Sequence, residues 1–299
     1  MITEAQQHAQ RNRGTIYVDD GEILTRQEYP GGQFVMRIRA PETAAHAEAG
    51  SFVHLTCDEA LPMRRPMSIM RTGDDWIEIL FKIVGQGLTL LARKQPGDVL
   101  SVLGPIGKPF VLDPERPNAL LIGGGVGIPP MVFVAEAMRQ DDRFHPVAVL
   151  GSEIPFPFEP TASQLAFPGA DAATSSTMPL LESWGVPTRL TSLQDFDGCF
   201  NGYVTDLARR WLDAADTATH AGTTIYTCGP TPMLKAVASL AAEYDIPCQV
   251  SLEEYMACAV GGCAGCAVRV NLPEGPAMQR VCVDGPVFDA RIVDWDAHP

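Results

Sequence analysis

Positive charge is scarce in this sequence: 22 Lys and Arg stand against 36 Asp and Glu, giving a formal charge of −14. A nucleic-acid binder clusters cations to neutralise phosphates, and an anionic membrane surface attracts the same residues, so neither partner class is expected. The acidic balance reads as solubility. No uninterrupted apolar run approaches the ~20 residues of a membrane-spanning helix. Residues 1–8 are polar and lack the apolar stretch of a secretory signal, which reads as a soluble, cytoplasmic protein. The six histidines, His54 and His145 among them, show no ligating spacing and read as structural. A Ser/His/Asp set, a paired-carboxylate site, a basic helix and an internal repeat are also missing.

What is present points to a folded, cofactor-dependent chain. Its 299 residues, 46% hydrophobic and 19% charged, suffice for two substantial domains and a small appendage. Eight cysteines in a chain with no sign of export point away from disulfides, and four of them crowd into residues 258–282. Cys57, Cys199 and Cys248 are scattered and read as small buried apolar residues.

Residues 15–112 read as all-β, with β-formers over 15–18, 33–39, 51–55, 76–83 and 99–103 separated by Gly, Pro and Asp. The spacing predicts a small antiparallel barrel, with a short helix over 85–94 closing it. Asp113-Pro114-Glu115-Arg116-Pro117 is a turn-rich hinge. Beyond it strands at 119–122, 146–150, 224–228 and 248–252 alternate with helices at 130–139, 203–214 and 232–244, which predicts a parallel sheet with helices on both faces. The expected divisions are 1–112, 113–252 and 253–299. Residues 152–178 form a long stretch of weak periodicity, either functional or mobile. From Cys258 onward the chain is too short for a large core, so a metal is expected to help hold it.

The strongest motif is Cys258-x4-Cys263-x2-Cys266 with Cys282 after fifteen further residues, the plant-type [2Fe–2S] spacing. Three thiolates on one tight loop reach both irons, and the fourth arrives from a separate strand. Gly261, Gly262, Ala264 and Gly265 are small enough to let backbone N–H groups approach the sulfurs. A dithiol pair at Cys263 and Cys266, or half a zinc site, is the competing reading; a zinc site would show a second CxxC-like pair.

Three further motifs are weaker. Gly123-Gly124-Gly125-Val126-Gly127-Ile128-Pro129-Pro130 joins a buried strand to a helix, where glycines permit close approach to a pyrophosphate or serve a structural turn. Cys228-Gly229-Pro230 ends a later strand of the same sheet, so both turns border one crevice. Cys228 either packs on a nicotinamide ring or fills the strand end. In the barrel half, Arg65-Pro66-Met67-Ser68 offers a guanidinium fork for a phosphate and a hydroxyl for a flavin edge, although in isolation such a pair suits a plain surface equally. Gly85-Gln86-Gly87-Leu88-Thr89 can place N–H groups and a hydroxyl on a pyrophosphate, and residues 104–107 read as a linking turn.

Taken together, the barrel motif, the glycine-rich α/β half, Cys228-Gly229-Pro230 and the terminal cysteines resemble the ferredoxin–NADP reductase superfamily. Within it, Ser251-Leu252-Glu253-Glu254-Tyr255-Met256-Ala257-Cys258 and Val281-Cys282-Val283-Asp284-Gly285-Pro286-Val287-Phe288 resemble the electron-transfer subunits of NAD-dependent dihydroorotate dehydrogenase, a family of pyrimidine biosynthesis. The likeness covers residues 15–150 and 185–290. It implies an FAD-binding barrel, an NAD-binding α/β domain, a C-terminal [2Fe–2S] domain and a partner flavoprotein, the catalytic subunit. It implies Arg65, Gly87 and Thr89 at FAD phosphates, Pro66, Met67 and Ser68 along the flavin, and NAD(H) at Gly124, Gly125, Gly127, Pro129, Cys228, Gly229 and Pro230, with Glu253 beside the nicotinamide. Ser68, Cys228 and Glu253 are then the candidate catalytic residues, and the four cysteines the metal ligands. Met67 stands where the superfamily often has an aromatic residue. Asp195 and Asp197, with no cation between residues 192 and 198, favour NAD over a 2′-phosphorylated nucleotide. A reductase for another acceptor and a cluster-based redox sensor are the rival readings.

Overall fold

A computed structural model describes residues 14–298; the polar residues 1–8 lie outside that span. The first sheet contains β1 (Tyr17–Tyr29), β2 (Gln33–Arg39), β3 (Phe52–Leu55), β4 (Arg65–Thr72), β5 (Trp76–Lys82) and β6 (Val99–Ile106). These close into an antiparallel barrel in the order β1-β2-β5-β4-β3-β6, with β1 also pairing β6. Alternation supplies the interior: Met36 and Ile38 from β2, Val53 and Leu55 from β3, Ile77 and Ile79 from β5 are all fully buried. At about 1.5–3 kcal/mol for each large apolar side chain buried, this interior dominates the barrel's stability.

β1 serves two neighbours. Tyr17 to Glu22 pair with β6, and Ile23 to Tyr29 with β2. At the seam sits Gly21, where a Cβ would come within 2.6 Å of Ile38 Cγ2 and 2.7 Å of Val102 Cγ2. Only residues 15–18 of this strand are expected from β-formers, because Asp19-Asp20-Gly21-Glu22 interrupts the pattern. The interruption has structural uses. Asp19 is buried and accepts bonds from Thr43 Oγ1 at 2.7 Å and Thr43 N at 3.1 Å, so it caps the short helix α1 (Pro41–His46) from outside.

Two other local expectations change. β4 holds Arg65 and Ser68 and is absent from the predicted strands because Pro66 opens it; Pro66 lies in the half of β4 that pairs with β3 alone. Residues 104–106 are no turn but the end of β6, where Gly104 makes room for Val53. The helix expected over 85–94 is α2 (Gly85–Leu91), followed by a turn.

The second sheet has β7 (Asn118–Gly124), β8 (His145–Gly151), β11 (Thr188–Ser192), β12 (Phe200–Asn201), β13 (Thr223–Cys228), β14 (Cys248–Ser251) and β17 (Val287–Asp289). Their order is β12-β11-β8-β7-β13-β14-β17, parallel throughout except that β17 runs antiparallel to β14. α3 (Ile128–Met138) is apolar almost all round because it lies between this sheet and strand β4 of the barrel. α4 (Pro179–Ser183) and α6 (Thr217–Ala221) are single turns. On α5 (Val204–Ala214), Val204, Leu207, Ala208, Trp211 and Leu212 fall on one buried stripe, and Leu234, Val237, Leu240 and Ala241 do so on α7 (Thr231–Glu243).

Residues 152–178 are packed rather than loose. They form the hairpin of β9 (Thr161–Ala162) and β10 (Ser176–Thr177) and bury Phe156 and Phe167. Their bonds run to the barrel, through Gln33 Nε2 and Pro155 O at 2.7 Å, and to the outer sheet edge, through Arg189 Nη2 and Leu165 O at 2.7 Å. The C-terminal segment contributes a second hairpin, β15 (Ala267–Leu272) with β16 (Gly275–Arg280). Its Val268, Val270, Val281 and Phe288 share one apolar core with Leu120, Ile122, Ile225 and Val250 of the large sheet. The segment therefore borrows its core. Among the described residues, no helix is long and apolar enough to cross a membrane.

Gly21→Val tests the seam: the added side chain overlaps Ile38 and Val102, and overpacking of this kind costs about 1–3 kcal/mol. A urea titration should show the midpoint fall with the slope unchanged; an unaltered midpoint would refute the seam's tightness.

Candidate functional site

β4 carries the first half of the site. Arg65, Pro66, Met67 and Ser68 stand opposite Leu55, His54, Val53 and Phe52 of β3. Met67 is buried and packs in the barrel core with Ile69; strand alternation therefore turns half-buried Pro66 and Ser68 to the outer face. Arg65 uses Nη1 on the carbonyls of Met63 and Arg64, at 2.9 and 3.2 Å. Its Nε and Nη2 lie 3.0 and 3.2 Å from the position a Cβ on Gly87 would take. Glycine at 87 thus leaves the space in front of the guanidinium clear. Thr89 stands one half-turn on, its hydroxyl donating to Gly85 O at 2.9 Å. A cation facing a side-chain-free stretch of backbone suits a pyrophosphate.

The second half lies at the carboxyl ends of β7 and β13. A one-turn 3-10 segment, Gly125–Gly127, leads from β7 into α3, with Gly125 at φ 56 and open space where its Cβ would be. Gly127 is different: a Cβ there would overlap the carbonyl of Cys228. A Cβ on Gly229 would lie 3.3 Å from Gly124 N, and one on Gly124 would meet Met233 Sδ at 2.5 Å. The two glycine turns are in main-chain contact. Pro129 is buried in the first turn of α3, whereas Pro230 is exposed at the start of α7. α3, which starts at the first glycine turn, also packs on β4, where Arg71 Nε meets Glu136 Oε1 at 3.1 Å.

Cys228 is fully buried beside its register partner Ser251. Burial, reinforced by the charge of Glu253, drives its thiol far above the ordinary range, so it is no thiolate. Glu253 follows β14 and opens to solvent, yet protein crowds it on the other sides; lost hydration pushes its carboxyl upward.

The third part is the cysteine loop. Cys266 and Cys282 are buried, Cys258 is half-buried and Cys263 exposed. The N–H of Cys263 points at Cys258 Sγ and that of Gly265 at Cys263 Sγ, both at 3.4 Å. Ala259, Gly261 and Ala264 have φ of 57, 79 and 53, so the chain curls with its amides turned inward. Burial raises the Cys258 thiol, but the N–H groups of Val260, Cys263 and Gly262 outweigh it and bring the thiol down to about 7. Burial and the neighbouring Cys266 push Cys282 up to about 12. Amides turned toward the Cys258 and Cys263 sulfurs, in a loop that also carries buried Cys266, fit a thiolate-bound, anionic cluster. Among the described residues no three Cys, His, Asp or Glu side chains converge on a single-ion site, and a two-iron cluster, with two thiolates per iron, needs none.

Three residues of this region escape sequence reasoning. Arg280 and Asp284 flank Cys282 and bridge to each other at 3.4 Å; a charged pair around a ligand was the available signal. His54 left no signal. It stands opposite Pro66, is 1% exposed, and faces the Met256 backbone just before the cysteine loop. Its ring nitrogens lack hydrogen-bond partners, and burial with the nearby Arg64 charge lowers it to about 4.

Comparison with known proteins gives the following. Residues 253–294 match the family model described as the iron–sulfur cluster binding domain of dihydroorotate dehydrogenase B. The dihydroorotate dehydrogenase B (NAD+) electron transfer subunit of Desulforamulus reducens is 29% identical over 283 residues, 93% of this chain and 99% of the relative. That of Geobacillus thermodenitrificans is 34% identical over 251 residues, 81% and 85% of the two chains. Among solved structures, an NADH-dependent reduced ferredoxin–NADP oxidoreductase associated with flavin-based electron bifurcation superposes with a TM-score of 0.75 at 26% identity, covering 93% and 91%. A ferredoxin–NADP+ reductase from Neisseria gonorrhoeae shares the fold, with a TM-score of 0.55 at 21% identity over 78% and 92%.

His54 predicts a pH dependence. Its folded pKa is about 4 against an ordinary 6.5, so between those values the unfolded chain binds the extra proton and stability falls as pH falls. The full effect, about 3 kcal/mol, is present above pH 6.5 and lost toward pH 4. Unfolding free energies measured across that window should show a shallower acid slope for His54→Phe than for wild type; equal slopes would contradict the buried neutral imidazole.

Proposed function

The chain belongs to the family of dihydroorotate dehydrogenase B (NAD+) electron-transfer subunits, and from that premise we propose that it passes electrons between NAD(H) and a catalytic flavoprotein subunit through FAD and a [2Fe–2S] cluster. The carrying observation is the four-cysteine loop with N–H groups turned toward its sulfurs; the Arg65–Gly87 pair and the paired glycine turns support the same reading. NADH delivers electrons in pairs and a cluster takes them singly; a bound flavin supplies the conversion.

This chain's own groups bind and orient. Arg65 holds the FAD pyrophosphate by charge, Gly87 keeps its approach clear, and Thr89 lies beside the same phosphates. Ser68, on the outer face of β4, offers a hydroxyl to the isoalloxazine edge, and Pro66 forms the floor next to it; Met67 supports that strand from the core. Gly124, Gly125, Gly127 and Pro129 on one side, and Cys228, Gly229 and Pro230 on the other, line the NAD(H) crevice. Cys228 stays a neutral thiol, a small apolar surface for a nicotinamide, while Glu253 presents an acid of raised pKa. Asp195 and Asp197, exposed beyond β11, disfavour a 2′-phosphate.

Cys258, Cys263, Cys266 and Cys282 bind the cluster. The exposed Cys263 side of that loop is the exit toward the partner. The functional units are then 1–112 for FAD, 113–252 for NAD and 253–299 for the cluster, with residues 1–13 and 299 outside the described span. The likeness to a ferredoxin–NADP oxidoreductase supports one second reading, a reductase for another acceptor.

The test is reduction of a one-electron dye by NADH with the FAD- and cluster-loaded chain, followed by coupling to a dihydroorotate dehydrogenase catalytic subunit. Dye reduction with dihydroorotate-dependent NAD+ reduction supports the assignment; dye reduction coupled only to ferredoxin supports the second reading. No dye reduction by loaded protein refutes both. Arg65→Ala removes a charge-assisted contact of about 1.5–3 kcal/mol, so FAD affinity should fall about 10–100-fold in a fluorescence titration.

A further inference from the structure

Arg280 closes β16 two residues before Cys282, and its side chain turns back across the cysteine loop. Nη1 donates to the Gly261 carbonyl at 3.0 Å. The Arg280 backbone N–H donates to Asp284 Oδ2 at 2.9 Å, and Nε reaches the same oxygen at 3.4 Å. The Arg280 carbonyl in turn accepts the N–H groups of Val283, Asp284 and Gly285, at 3.1, 2.8 and 3.3 Å. One residue thus closes the turn that carries Cys282 and ties that turn to the loop carrying the other three ligands.

Gly261 is the receiving point, and its backbone is committed. With φ at 79, a left-handed value, its Cβ position lies 2.6 Å from Val283 Cγ2 and 3.2 Å from Arg280 Nη1. Its carbonyl is the one Arg280 grips, so rotation of this residue would break the tie between the two ligand-bearing turns.

We propose that Arg280 is a positioning residue for the cluster: its grip on the Gly261 carbonyl holds the three-cysteine loop against the turn that carries Cys282, and its guanidinium, offset by Asp284, sets the cluster's reduction potential. The inference rests on the cluster assignment made above. Reduction adds one negative charge to the cluster, so a nearby cation favours the reduced form. Removing the Arg280 side chain takes away that cation and the tie to Gly261, and leaves the Asp284 charge without its partner. Neutralising Asp284 has the opposite sign, because it leaves the cation uncompensated.

The experiment uses the full chain with its cluster and FAD. A redox titration followed by electron spin resonance gives the potential, and bleaching by a chelator gives the rate of cluster loss. Arg280→Gln should shift the potential to more negative values and speed bleaching about 10-fold, the usual scale for loss of an outer partner at a metal site. Asp284→Asn should shift the potential the other way. Arg280→Lys keeps the charge and should lie nearer wild type in potential than Arg280→Gln does. If Arg280→Gln holds no cluster, the positive shift of Asp284→Asn carries the test. Potentials equal to wild type in Arg280→Gln and Asp284→Asn, or in Asp284→Asn alone where Arg280→Gln holds no cluster, overturn the proposal. A wild-type chain without a [2Fe–2S] spectrum would overturn the cluster assignment instead, so the two failures are distinguishable.

Discussion

Gly127 has no room for a side chain because the carbonyl of Cys228 fills the place. That main-chain contact seats the turn after β7 on the end of the paired strand β13, where α3 begins, and α3 in turn lies against β4, the strand that carries Arg65 and Ser68. The β13–β14 ladder sets Cys228 beside Ser251, from which the chain runs through Glu253 and Met256 to the first cysteine of the loop. Movement of this contact would therefore shift the barrel motif and the cluster segment relative to the glycine turns.

The C-terminal segment shows how a short stretch is held without a core of its own. β17 adds antiparallel to β14, and Val268, Val270, Val281 and Phe288 extend the apolar core of the parallel sheet. Lys108 N bonds Gly285 O at 2.6 Å, which ties the chain after β6 to the turn after Cys282. The expectation that metal must help hold this region is thus joined by a second source of order. The cysteine loop hangs from a frame built by hydrophobic burial, and its curled backbone, with two alanines in the left-handed region, is tolerated because the frame constrains both ends.

Electrostatically the site is a set of local exceptions on an acidic protein. Arg65 faces cleared space, Arg280 is balanced by Asp284, and His54 stays neutral under the junction of barrel and cluster segment. Arg65 and Arg280 are placed where an anionic group is expected. Desolvation acts on Cys228 and Glu253 in one direction, raising both.

By itself the sequence determined what is written locally. Cysteine spacing is one-dimensional information, because three ligands on one tight loop must be close in the chain. The barrel and the alternating α/β half were legible for a similar reason: strand and helix periods recur every two or 3.6 residues. Only the tertiary structure decided the rest. Polar residues in β1 hid a 13-residue strand because Asp19 serves a helix elsewhere in the chain. Residues 152–178 lacked periodicity because they pack as irregular chain on an edge already formed. His54, Arg280 and the room in front of Arg65 depend on partners 10 to more than 200 residues away or on a missing Cβ, and no local pattern records such contacts.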